Sequence, residues 1–96
     1  MQKGMVSTVV LNWNGKDVVA DCLDSLLAQT YASREIIVVD NDSQDGSLEM
    51  IEEKYGLKIL IMRNAKNFGF AGGCNVGIRM ARGEYIALMN SDAVAG

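Results

Sequence analysis

Residues 1–96 read as one α/β domain: a parallel β-sheet with helices on both faces, in the order β-α-β-α-β-α-β. Three observations give this reading. Four apolar runs, Val6–Leu11, Ile36–Val39, Leu57–Met62 and Tyr85–Met89, are nearly continuous rather than alternating, the habit of strands buried on both faces. Stretches with helical spacing separate the runs, and strict alternation of this kind implies right-handed crossovers. Turn-forming residues cluster at 12–15, 40–47, 64–69 and 90–92, and with no proline in the chain Gly, Asn, Asp and Ser must make the turns.

Taken in order, the first run is rich in β-branched residues and ends on Asn12-Trp13-Asn14-Gly15. The next stretch, from about Asp17 to Gln29, places Val18, Cys22 and Leu26 four apart and Val19, Leu23 and Leu27 four apart, which makes a wide apolar helix face. The second run is followed by a narrower stripe, Leu48, Ile51 and Tyr55, set among Glu49, Glu52, Glu53 and Lys54. A third helix is expected from about Ala71 to Arg82. Its Gly73 and Gly77 stand four apart, and glycine inside a helix costs about 1 kcal/mol against alanine, so close packing of helix on sheet is the expected reason.

Composition narrows the function. The net charge of −3 argues against nucleic acid as a partner, which requires Lys and Arg gathered on one face. No apolar run approaches the roughly 20 residues of a membrane span, and Met1-Gln2-Lys3-Gly4 lacks the features of a signal peptide. A cytoplasmic location is expected, at the inner face of the membrane for a longer parent protein. Cys22 and Cys74 fit no metal spacing, and the chain has no histidine, so both are expected as buried thiols. Without histidine, acid–base chemistry falls to a carboxylate or to a group outside these residues.

In an open α/β sheet, ligands bind beyond the carboxyl ends of the strands. The segments at that end are Asn12-Trp13-Asn14-Gly15, Asp40-Asn41-Asp42-Ser43, Arg63-Asn64 and Asn90-Ser91-Asp92. Asn14 could cap the following helix, and Trp13 could wall a base pocket or simply pack. Asp40 directly follows a buried run, where its carboxylate could accept the imide N–H of a uracil or thymine; it stands too early to cap the next helix. Ser43 and Asp45 fit an N-cap. The glycine-rich stretch 67–77 resembles a phosphate-binding loop at a helix N-terminus. It lacks the dinucleotide pattern, because Ala71 and Cys74 stand where glycines belong, and no Walker sequence is present. Asp92, at the last strand end, is a hard oxygen ligand suited to Mn²⁺ or Mg²⁺ shared with a diphosphate, or else part of a plain turn.

Together, Val-Ser-Thr-Val-Val-Leu-Asn-Trp-Asn, Glu-Ile-Ile-Val-Val-Asp-Asn-Asp-Ser-Gln-Asp-Gly-Ser, Asn-Phe-Gly-Phe-Ala-Gly-Gly-Cys-Asn-Val-Gly-Ile and Arg-Gly-Glu-Tyr-Ile-Ala-Leu-Met-Asn-Ser-Asp-Ala are similar to the family 2 glycosyltransferases, most of all to the rhamnosyltransferase-like branch. The resemblance covers nearly the whole chain. It implies the N-terminal part of a Rossmann-like GT-A domain, a hexosyltransferase type of activity in cell-surface polysaccharide synthesis, and inverting transfer from a UDP- or dTDP-sugar to a saccharide or lipid-linked acceptor. By resemblance, Asp40 matches the acid that binds the nucleobase. Asp92 matches the metal-binding carboxylate, and Asn90 takes the first position of that D-x-D-like motif. Leu11, Asn12 and Asn14 line the base and ribose side, and Ala71, Gly72 and Asn75 match the loop and helix start near the ribose and diphosphate. The chain departs from the family at Tyr31-Ala32 and at Ser91, where the family often has proline at Ala32 and Ser91. Family members continue past this motif, so residues 1–96 are expected to form the donor-binding half, inactive in transfer alone, with the general base beyond Gly96 and a homodimer formed through an exposed sheet edge. The alternatives are a non-catalytic nucleotide-binding module and an interaction domain of the same fold.

Overall fold

The computed structural model describes residues 2–29 and 34–92; Tyr31-Ala32 lies outside them. The elements are β1 (Gln2–Asn12), α1 (Val19–Leu27), β2 (Arg34–Asp40), α2 (Ser47–Tyr55), β3 (Leu60–Arg63), α3 (Gly69–Met80) and β4 (Gly83–Asn90). The strands form one sheet in the order β3-β2-β1-β4, parallel throughout.

The side chains of β1 and β2 divide between two cores, as strand alternation demands. On one face Val10, Ile36 and Val38 pack with Val19, Cys22, Leu23 and Leu26 of α1 and with Ile51 and Tyr55 of α2. On the other, Val9, Leu11, Ile37 and Val39 pack with Cys74 of α3. Helices therefore cover both faces, and both cysteines are buried free thiols. Each large apolar side chain fully buried here contributes about 1.5–3 kcal/mol. The paired glycines of α3 allow its close approach: a Cβ at Gly77 would run into Val9 Cγ1 and stand 3.0 Å from Val39 Cγ2, and one at Gly73 would meet Leu11 Cδ1.

Two expectations are corrected. Leu57 is not in a strand; it lies in a turn after α2, fully exposed, and β3 starts at Leu60. The apolar run of β4 is not buried on both faces. Among the described residues β4 is an edge strand, bonded only to β1, and Tyr85, Ile86 and Leu88 are 58%, 44% and 45% exposed. Its hydrophobicity exceeds what this sheet uses.

At the amino ends of the strands a buried carboxylate ties three segments together. Glu35 accepts from Ser7 Oγ (2.6 Å), the Arg82 backbone N–H (2.9 Å) and Arg82 Nε (2.9 Å), and the Gly83 N–H donates to Ser7 Oγ (2.8 Å). Burial pushes the Glu35 carboxyl up, but these donors and the Arg82 charge outweigh it and hold it below its ordinary value. The start of β4 is thereby fixed to β1 and β2.

Candidate nucleotide-sugar site

Register aligns the carboxyl ends of the strands: Leu11 pairs with Asn90, Asn12 with Asp40, and Asp40 with Arg63. Backbone bonds carry the ladder into the loops, from Asn41 N to Asn12 O (2.9 Å), Asn64 N to Asp40 O (2.8 Å) and Ser91 N to Leu11 O (3.0 Å). The polar segments read from the sequence thus share one edge.

The loops after β1 and β2 are clasped by side chains. Asn12 Nδ2 donates to Asp40 Oδ1 (2.9 Å) and Ser47 Oγ (2.9 Å), with a longer contact to Ser43 Oγ (3.3 Å). Ser43 Oγ donates to Asp40 Oδ1 (2.7 Å) and accepts the Asn14 N–H (2.9 Å), while Asn14 Oδ1 accepts the Gln44 N–H (2.7 Å). Asn14 and Asp42 hold φ of 50° and 62°, a left-handed conformation uncommon outside glycine and tolerated best by Asn and Asp. Such residues gather where a backbone is shaped for function.

This geometry gives each polar side chain a local role. Asp40 does not present a free carboxylate: it is 0% exposed, and its second oxygen accepts the Ser43 N–H at 2.9 Å. It caps the turn after β2 and not α2, which starts at Ser47. Asn12 is equally buried and is the hub of the clasp. Asn14 braces the Asp42–Gln44 turn, not α1, whose start carries no side-chain cap. Ser43 bridges the loops, and Asp45 accepts the Ser47 N–H at the start of α2 (2.9 Å) and the Lys16 N–H (3.0 Å).

Between the ends of β1 and β4 lies an open cleft of about 340 Å³, lined by Leu11, Trp13, Asn14, Gly15, Val18, Asn90, Ser91 and Asp92. Four residues expected at the site, Leu11, Asn14, Asn90 and Asp92, meet there. Trp13 is 54% exposed and supplies an aromatic wall. Gly72 and Asn75 line a separate hollow of about 330 Å³ with Phe68, Val76 and Arg79, and Ala71 is exposed on the first turn of α3. Sequence reasoning placed Val18 only on the apolar face of α1, and its place on the cleft comes from the fold of the turn before that helix.

The donor set suits a hard cation. Asp92 brings an exposed carboxylate, and Asn90 and Ser91 bring neutral oxygens. A cysteine sulfur, Cys22 Sγ, lies 3.9 Å from the Asn90 carbonyl. Burial first, then the Asp92 charge, pushes its thiol up to about 11, so it stays protonated and is a poor ligand. Among the described residues no cluster of three or more metal-ligating side chains occurs. Asp92 therefore fits Mn²⁺ or Mg²⁺ only when substrate oxygens complete the shell, the usual manner of Mg²⁺ with phosphates.

A model of glycosyl transferase family 2 matches residues 7–95. The chain belongs to that family. Family members similar to it include the Escherichia coli UDP-Glc:alpha-D-GlcNAc-diphosphoundecaprenol beta-1,3-glucosyltransferase WfaP, 34% identical over 88 residues, covering 92% of this chain and 35% of that protein. The Bacillus spizizenii poly(ribitol-phosphate) beta-glucosyltransferase is 36% identical, with 95% and 15% covered. Among solved structures, residues 1–349 of Staphylococcus aureus TarS in complex with UDP-GlcNAc superpose with a TM-score of 0.82 at 29% identity, covering 91% of this chain and 26% of that one. The Pyrobaculum calidifontis mannosyltransferase PcManGT, in complex with GDP-Man and Mn²⁺, gives 0.84 at 26%, with 93% and 28% covered. The fold is thus that of GT-A glycosyltransferases, and the chain spans about a third or less of the length of these relatives.

Proposed function

We propose that this chain is the donor-binding part of an inverting glycosyltransferase and holds a nucleoside diphosphate sugar at the carboxyl edge of its sheet. The observation that carries the reading is the cleft between β1 and β4, where Asp92 and Asn90 face an aromatic wall in a family 2 chain. In this reading the Trp13 ring lies along the base, and the cleft beside Asn14 takes the ribose. Asp92 and Asn90 face the diphosphate. A divalent cation, when bound, neutralises charge on the departing diphosphate. The acceptor hydroxyl attacks the anomeric carbon, the bond to the diphosphate oxygen breaks, and a carboxylate takes the hydroxyl proton. Among the described residues lining the cleft, Asp92 is the one carboxylate, and its place at the metal leaves the base to another part of the protein.

The rhamnosyltransferase-like motifs favour a dTDP-sugar, and the glucosyltransferases among the relatives favour a UDP-sugar. The reading extends to self-association through the outer edge of β4, whose unpaired N–H and C=O groups and exposed apolar side chains are what edge pairing needs. Calorimetric titration with UDP, dTDP and GDP, each with and without Mn²⁺, tests the donor site. A diphosphate should bind more tightly with the cation. Absence of binding by every member of the panel in both conditions refutes the proposal.

A further inference from the structure

Resting on the donor-site reading, we propose that the Ser91 hydroxyl positions Asp92 by donating a hydrogen bond to Asn12 Oδ1, and so couples the Asp92 turn to the clasp between the first two loops. Asn12 Oδ1 is buried and, alone among the described buried side-chain N and O atoms, has no hydrogen-bond partner. The amide of the same side chain is fully used, donating toward Asp40, Ser43 and Ser47. That engagement fixes the side chain and leaves its oxygen pointing away from the clasp.

Across from this oxygen stands Ser91. A Cβ placed on Gly15 would touch Asn12 Oδ1 and lie 2.6 Å from Ser91 Oγ, so both oxygens border one small space that only glycine at position 15 keeps open. The Ser91 backbone is anchored to Leu11 O at 3.0 Å, and its side chain is 8% exposed. A turn about the Cα–Cβ bond moves the hydroxyl toward Asn12 without moving the backbone. A serine rotamer change costs less than leaving a buried acceptor unpaired. The bond is open to the free protein, and it holds the turn 90–92 in place when the diphosphate and cation draw on the neighbouring Asp92 carboxylate. One side chain then serves both loops: its nitrogen holds residues 40–47 and its oxygen holds 90–92.

The test compares the parent with Ser91→Ala and Ser91→Thr in two measurements. In the first, the affinity for UDP or dTDP is read with and without Mn²⁺. The ratio of the two affinities should fall about three- to tenfold in Ser91→Ala, the range for one hydrogen bond, and return in Ser91→Thr. The second needs no nucleotide. The side-chain amide resonances of Asn12 are followed by NMR, and removing the hydroxyl should shift them, because the bond to Oδ1 polarises the whole amide. An unchanged affinity ratio in Ser91→Ala overturns the proposal, as do unchanged Asn12 resonances in all forms. If the parent binds no nucleotide while the Asn12 signals do shift, the donor-site reading fails and the Ser91–Asn12 pair stands.

Discussion

Replacing Asp40 by Asn separates a base contact from a loop organiser. Asp40 is wholly buried, and its oxygens face donors on both sides: Asn12 Nδ2 at 2.9 Å and Ser43 Oγ at 2.7 Å on one, the Ser43 N–H at 2.9 Å on the other. An amide is nearly isosteric, but either orientation turns an NH₂ toward an N–H donor. The substitution removes at least one bond to a charged acceptor, about 1.5–3 kcal/mol, and leaves a buried donor unpaired, about 1–3 kcal/mol. Partial relaxation brings the expected loss to about 3 kcal/mol. A domain this size has about 5–15 kcal/mol in all, and each kcal/mol moves Tm by about 4–8 °C, so Asp40→Asn should melt about 12–24 °C below the parent. Thermal melts and urea titration followed by circular dichroism measure this. The control is Asp42→Asn, whose pairing at 3.8 Å with the exposed Arg63 is worth about 0–1 kcal/mol. A melt for Asp40→Asn within about 3 °C of the parent, together with weaker nucleotide binding, would refute the organiser role and return Asp40 to the base.

Asp92→Ala should remove the metal dependence of UDP or dTDP binding with little change in Tm; calorimetry showing an undiminished Mn²⁺ effect would remove Asp92 from the site. Glu35 has a folded-state pKa below its ordinary value of 4.5, so its stabilisation is present above that value and is lost as pH falls through the lowered one. Glu35→Gln should cost about 1 kcal/mol near neutral pH, discounted for the exposure of Arg82, and should flatten the fall in stability below about pH 4.5, as urea titrations across pH will show. Gly77→Ala gains helix propensity of about 1 kcal/mol but presses on Val9 and Val39, an overpacking of about 1–3 kcal/mol; a net loss near 1 kcal/mol is expected by denaturation. Parent chain at micromolar concentration should scatter light as a dimer or larger species, and Leu88→Lys on the exposed face of β4 should shift it toward monomer; a parent that is cleanly monomeric would rule out edge pairing.

Most of the architecture was legible because parallel strands buried under helices announce themselves as unbroken apolar runs. Val6–Leu11 and Ile36–Val39 are such runs and stand at the centre of the sheet. The same signal misled at Leu57, since an apolar residue in a turn looks like the start of a strand until the chain direction is known. It misled at β4 for the opposite reason: composition records what a strand can bury, not which neighbours cover it. At the carboxyl edge, Asp92 and Asn90 drew notice as part of a polar triplet after an apolar run, and the fold brings both onto one cleft. Asp40 stands at a similar strand end, and its carboxylate turns inward to the clasp, a direction that sequence position does not tell. The clasp made by Asn12 joins positions 28 to 35 residues apart, and no local pattern encodes it.

β1 is synthesised first, yet it is flanked on one side by β4, with Val6 beside Tyr85. Its inner position is therefore the last to be filled. A chain emerging from the ribosome can join β1 to β2 early, but the other side of β1 stays open until residues 83–90 arrive. Closing a loop of this length costs entropy before any contact offsets it, and folds dominated by such distant pairings fold slowly. The Glu35–Arg82 clamp sits at the starting end of that late pairing, where it can set the register before the apolar pairs along β4 close. Its loss should then slow the completion of the sheet more than it lowers equilibrium stability, and leave the growing protein longer in a state with an open central strand, the state most exposed to chaperones and to aggregation.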